Sequence, residues 1–214
     1  IGRYQILHGD SETGMRLIRE MIQLAGQTGE TEFALKGYLQ LVYNAINQRD
    51  TQDMEVLITQ AFKEFRHNAD KAEIGILIRL KGYLMILKDR FSPGEALLRN
   101  AAAIFERPEY RDQYALNRVA SYYYLGESRR LQNDFLGADS WYSEAEDICR
   151  KQGFGSHLAL LKSSRGITAY DCGRYDEAYT YLHEAVEAYD KNQFKWGQIT
   201  AYGYWSLLCI RRGM

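Results

Sequence analysis

Proline is almost missing from this chain: Pro93 and Pro108 are the two in 214 residues. A proline inside a helix removes a hydrogen bond and clashes with the preceding turn, so such scarcity suits helices from end to end. Cysteine is also sparse. Cys149, Cys172 and Cys209 form no CxxC pair and leave an odd count. That argues against a disulfide framework and for reduced structural thiols in a cytosolic protein. No apolar run approaches the roughly 18 residues that signal a membrane helix. The sequence does not open on a signal-peptide pattern either, and a cytoplasmic location is the expectation. Excess charge of either sign is absent too: 27 basic against 28 acidic residues give a net charge of −1, without a basic block. Nucleic-acid surfaces need a basic patch or stripe, so direct DNA or RNA binding by this segment is disfavoured.

What is present is a period. Gly14, Met54, Gly94, Ala138 and Ala178 recur at spacings of 40, 40, 44 and 40 residues. From each, offsets +3, +4, +7, +10 and +11 are apolar, with Glu64 the single lapse. The last copy reads Ala178, Tyr181, Leu182, Ala185, Ala188 and Tyr189. Those offsets mark one face of an α-helix, and a fixed period of this size marks a solenoid of repeats. Ahead of each such helix the sequence places another. The clearest copy has Leu161, Gly166 and Tyr170, a turn at Cys172-Gly173-Arg174, then Tyr175-Asp176-Glu177-Ala178. Gly173 suits the left-handed turn that ends a helix, while Asp176 and Glu177 suit the positive end of the next. Gly166 and Ala178 lack bulk where the two helices should cross.

The reading is all-α: antiparallel helix pairs at roughly 31–66, 71–105, 114–151 and 157–190, with partial repeats at 1–26 and 194–214. The four extra residues of the 44-residue step fall near Glu106–Glu109, as a longer loop between repeats. Shorter connections are expected near Gln27–Glu30, Asn68–Lys71, Gly153–Ser156 and Lys191–Gln193. Both ends cut through a repeat: Gly9-Asp10 holds one turn position, leaving Ile1–His8 as a stub, and Gly213 holds another. The expectation is one helical-repeat domain belonging to a longer protein. Its unpartnered end around Trp196, Tyr202, Tyr204 and Trp205 is expected to favour self-association.

The Leu-Gly of the first helix, the Gly-x-Tyr-x-x-Ala across the turn and the Ala seven residues later resemble the tetratricopeptide (TPR) repeat. The match degenerates in the first two copies, where Val42 and Met54 replace small residues. The usual period is about 34, and long-helix variants near 40 resemble the sensor region of MalT-like bacterial transcription regulators. The resemblance implies a right-handed superhelical solenoid, with room here for about five helix pairs plus partial repeats. It also implies that the first helix of each pair lines a concave binding surface. On that basis the candidate binding residues are Lys36, Tyr43, Arg79, Tyr83, Tyr123, Glu127, Arg130 and Tyr170. Beside them stand Leu39, Asn47, Ile86, Ser163, Ile167, Thr200, Gly203, Leu207 and Arg211. Tyrosine supplies rigid contact area with a hydroxyl, and arginine a planar donor fork. The blander reading is that tyrosine, 17 of 214 residues, is this chain's core aromatic, with Tyr122, Tyr124, Tyr142 and Tyr181 between helices.

No catalytic or metal-binding constellation stands out. His8, His67, His157 and His183 form no HxxxH or HExxH pair, whereas zinc and hydrolase sites need several groups within hydrogen-bond reach. Glu144 and Glu146 read as solvated charges. No cofactor or metal is implied and an enzyme is disfavoured. Two functions compete: the ligand- or partner-sensing region of a bacterial transcription regulator, open to a small-molecule or peptide effector, and a general scaffold for a peptide or helix.

Overall fold

The computed structural model describes residues 11–67, 70–192 and 198–211. Residues Ile1–Gly9, Asn68, Gln193, Trp196 and Gly213, which carry several of the expectations above, lie outside them. Among the described residues every regular element is a helix. They are α1 (Ser11–Thr28), α2 (Thr31–Gln48), α3 (Thr51–Phe65), α4 (Lys71–Leu87), α5 (Phe91–Phe105), α6 (Ala115–Leu131), α7 (Phe135–Gln152), α8 (Gly155–Asp171), α9 (Tyr175–Asn192) and α10 (Gln198–Arg211). The complete pairs are α2/α3, α4/α5, α6/α7 and α8/α9, within a few residues of the bounds set by the period.

The chain divides into two compact units, Ile1–Ile104 and Phe105–Met214. In the first, α1 packs on α2, α2 on α3 and α3 on α4. In the second, consecutive helices from α6 to α10 pack together, and α8 also touches α6 and α10. The registered positions form the core in both. Met54, Ala138 and Ala178 are buried, as are Ile58, Leu98, Tyr142 and Leu182 at offset +4. Phe65, Phe105, Cys149 and Tyr189, at +11, are buried as well.

The helices of a pair meet where the first carries glycine. A side chain at Gly82 would strike Leu98 and the Gly94 carbonyl, and one at Gly166 would strike Leu182. Gly126 faces the Tyr142 ring in the same way. Each glycine stands sixteen residues ahead of its partner, so the period carries the contact itself.

The turns inside the pairs repeat as closely. Arg49, Asp89, Asn133 and Gly173 all take the left-handed conformation, at φ 56°, 56°, 60° and 82°. The following amide in each turn donates back to the helix: Asp50 to Ala45, Arg90 to Met85, Asp134 to Arg129 and Arg174 to Ala169, at 2.8–2.9 Å. This is the Schellman closure, which glycine enters without strain. Asp50 and Asp134 then accept amide hydrogens of the next helix and cap it. Three of the four turns thus hold a residue with a side chain where the left-handed region costs about 1–2 kcal/mol. Arg49→Gly should raise stability by roughly 0.5–1 kcal/mol, less than the full strain because glycine also loosens the unfolded chain. Asp89→Gly and Asn133→Gly should gain less, since aspartate and asparagine tolerate this region. Urea-unfolding midpoints check the order; a loss of stability at Arg49→Gly would refute it.

The 44-residue step is accommodated between α5 and α6, where 106–114 run through hydrogen-bonded turns. Tyr114 stacks on Phe105 at 5.7 Å and meets Tyr110 edge-on at 5.8 Å.

Candidate functional site

The first-helix faces come from α2 and α4 in the first unit, and from α6, α8 and α10 in the second. On α2, Lys36 is exposed, holds Glu32 at 2.5 Å and lies over the Phe33 ring. Two turns further on, Tyr43 is 37% exposed, and Asn47 beyond it is exposed. Leu39 and Tyr83 pack partly against the core, leaving an outer edge. Arg79 of α4 is 3% exposed, and its Nη2 donates to the Tyr43 hydroxyl at 2.7 Å. Its Nε is buried without a hydrogen-bond partner among the described residues.

Two more of the expected lining residues are as deeply covered as Arg79. Ile86 is 2% exposed and faces the second helix, where a side chain on Gly94 would collide with it. Ser163 is 3% exposed. Both sit at the edge of the first-helix face, four residues beyond Gly82 and three before Gly166, where a packed neighbour covers them.

In the second unit the candidate charges are engaged with one another. Arg130 Nη2 donates to Glu127 at 3.0 Å and Nη1 to Asp171 of α8 at 2.9 Å. The Tyr142 hydroxyl, reaching across from α7, donates to Glu127 at 2.6 Å. Burial by itself would lower the Arg130 pKa, but the Glu127 carboxylate and its hydrogen bonds outweigh it and hold the guanidinium above its usual value. Burial first, and then Glu127, pushes the Tyr142 hydroxyl well above its ordinary pKa. Glu127 and Arg130 are therefore a brace between helices. Tyr123 lies against Tyr124 and Tyr142.

Tyr170 opens a different cluster, meeting Tyr175 of α9 at 5.5 Å and Tyr204 of α10 at 5.2 Å. Arg211 lies 4.0 Å over the Tyr175 ring. Ile167 packs on the core beneath. Thr200, Gly203 and Leu207 are exposed on α10.

Sequence reasoning missed a second brace. Arg165 clasps Asp139 with two hydrogen bonds, at 2.8 and 3.2 Å, and lies 3.3 Å from Glu146. The Tyr181 ring covers it at 4.7 Å. Glu146 is buried, not solvated; Glu144 is exposed as expected. The available signal was the register: Arg165 precedes Gly166 and Asp139 follows Ala138, both crossing points. Near this brace, burial and then Glu146 push the Cys149 thiol up to about 12, so it stays protonated. Burial lowers the His157 pKa and keeps that imidazole neutral. Among the described residues no three His, Cys, Asp or Glu side chains gather as metal ligands, and no helix is long and apolar enough to cross a membrane.

No protein-family model matches this sequence, and no curated protein matches it. Solved structures do. The apo form of RapI shares 12% identity at a TM-score of 0.68, over 84% of this chain and 64% of RapI. BtubC from P. vanneervenii shares 13% at 0.72, over 94% of this chain and 84% of BtubC. A signal-transduction ATPase from Pyrococcus horikoshii, described as carrying a tetratricopeptide repeat sensor, shares 14% at 0.71, over 96% of this chain and 31% of its own. This chain spans less than two thirds of RapI and of the ATPase. Likeness at these identities establishes the architecture, a TPR-like stack of helix pairs.

Proposed function

We propose that this chain is a non-catalytic binding module that takes a protein or peptide partner on its first-helix faces. The observation that carries this reading is the division of labour within a pair. Second helices spend their registered residues in the core, whereas Tyr43 and Tyr83, forty residues apart, hold one position on successive first helices with surface left over. Aromatic residues of that kind are where interfaces concentrate their affinity. In the second unit the braces at Arg130 and Arg165 tie first helices to their neighbours, which lowers the entropy cost of binding there.

A finer reading follows: the sensor segment of a bacterial transcription regulator, as the MalT-like resemblance suggests. The ATPase with a TPR sensor among the similar structures favours it. There a peptide or small-molecule effector would bias a helical stack among packings of similar energy. A helix-turn-helix or nucleotide-binding domain in the full-length protein separates sensor from scaffold.

The binding face is tested with an array of amphipathic-helical and extended peptides, read by fluorescence polarisation. Captured peptides should lose about tenfold or more in affinity on Tyr43→Ala with Tyr83→Ala, as for hot-spot aromatics. Unchanged affinity in the folded double variant rejects the first-helix faces.

A further inference from the structure

The last described helix, α10, is apolar on two sides. From Gln198 to Ile210 it carries no charged side chain, and its Ala201 and Leu208 are buried in the second-unit core. The rings of Tyr202, Tyr204 and Trp205 pack against that same core. On the side away from it stand Ile199, Gly203, Ser206 and Ile210, all exposed. Ile199 is 86% exposed and Ile210 72%, and nothing lies within 4 Å of a carbon added at Gly203. A helix that is apolar all round belongs inside a protein. Among the described residues this one is covered on a single side.

The period says what kind of neighbour the open side fits. Ile199 stands forty residues after Ala159, which stands forty after Val119, and both of those are buried. Ser206 stands forty after Gly166, which lies under Leu182 of the second helix α9. The open side of α10 is therefore shaped for a helix that runs antiparallel to it with a small residue at the crossing.

α10 is itself such a helix. Its outward residues are symmetric about the point between Tyr204 and Trp205: Gly203 and Ser206 lie nearest that point, and Ile199 and Ile210 stand equally far out. Two copies set antiparallel about it bring Gly203 opposite Ser206 and Ile199 opposite Ile210, each contact made twice. The small centre lets the backbones approach, and the isoleucines close the ends. Because this side is uncharged, the pairing sets no like charges against each other. We propose that α10 is a self-association face, on which a second copy of this chain docks through its own α10 as an isologous two-fold pair. It is the side a second helix covers in the complete pairs, distinct from the outer edges that carry Tyr43 and Tyr83. A helix of 14 residues offers a strip about 21 Å long and about 10 Å wide. That lies at the low end of specific interfaces, which suits a weak, reversible dimer.

Sedimentation velocity over a concentration series tests it. The chain should pass from monomer to dimer with a Kd on the order of 10 µM, as fits a small interface. Ile199→Lys and Ile210→Glu, both at exposed positions and checked for helicity, should each weaken the dimer about tenfold or more, since a charge is then buried against isoleucine at both ends. Mixed in equal amounts, the two variants should associate at concentrations where neither does alone. Lysine then meets glutamate at one end, and isoleucine meets isoleucine at the other.

A chain that stays monomeric throughout overturns the proposal. So does a dimer indifferent to both substitutions, or a mixture no tighter than its components, which rules out the antiparallel register. If the full-length protein stays monomeric where this chain dimerises, its own further residues cover α10 and the proposal falls. None of these outcomes bears on the peptide array, whose readout uses Tyr43 and Tyr83.

Discussion

Gly126→Ala should destabilise the second unit by about 2–4 kcal/mol, while Gly203→Ala should stabilise it by about 0.5–1 kcal/mol. Both glycines lie in helices, so helix propensity favours alanine at each. At Gly203 nothing lies within 4 Å of the added carbon, and the propensity gain stands alone. At Gly126 the new carbon would sit 2.7 Å from Tyr142 Cδ1 and 2.9 Å from Cζ, inside van der Waals contact. Tyr142 is fully buried and tied through its hydroxyl to Glu127 at 2.6 Å. The ring can move away only by giving up that bond, which with its charged partner is worth about 1.5–3 kcal/mol. Overpacking costs about 1–3 kcal/mol more, so collision exceeds propensity. Urea-unfolding midpoints of the two variants decide the matter. Equal shifts of the same sign would show that the crossing at Gly126 can relax.

That contrast marks how far the sequence could be read. Small residues at Gly82, Gly126 and Gly166 announced the crossings, and the buried registers at Met54, Ala138 and Ala178 followed from a single helical face. Ile86 and Ser163 defeated the same logic. A first helix packs against its own partner and against the second helix before it, so its covered arc is wider than the stripe one pairwise contact predicts. Periodicity within one helix cannot show where a neighbour's side chains end. The ion pairs were hidden for another reason. Arg165–Asp139 and Arg130–Asp171 join residues 26 and 41 apart, and the type of a charged residue says nothing of its partner. Arg79 was legible as a first-helix arginine, but its burial was not.

Alkali should unfold the second unit, and steeply. Burial pushes Tyr122 and Tyr189 up to about 12 and the Cys149 thiol to about 12, and it raises Tyr142 too. Each is neutral when protonated, so a raised folded value means that the fold holds the proton more tightly than the unfolded chain. The stability this supplies is complete below about pH 9 and drains away as pH rises through 9 to 12, where only the unfolded chain has ionised. Each group contributes about 1.4 kcal/mol per pH unit in that window. With the thiol and the three hydroxyls together, the slope between pH 10 and 12 approaches roughly 5 kcal/mol per unit. A domain of ordinary stability, about 5–15 kcal/mol, is exhausted within one to three such units. Urea midpoints followed by circular dichroism from about pH 8 upward should fall with that slope. Tyr122→Phe removes one titrating group and should flatten the slope by about 1.4 kcal/mol per unit, even though it also costs the bond to Glu106 at neutral pH. A midpoint that holds level through pH 11 would mean that these hydroxyls meet water in the fold.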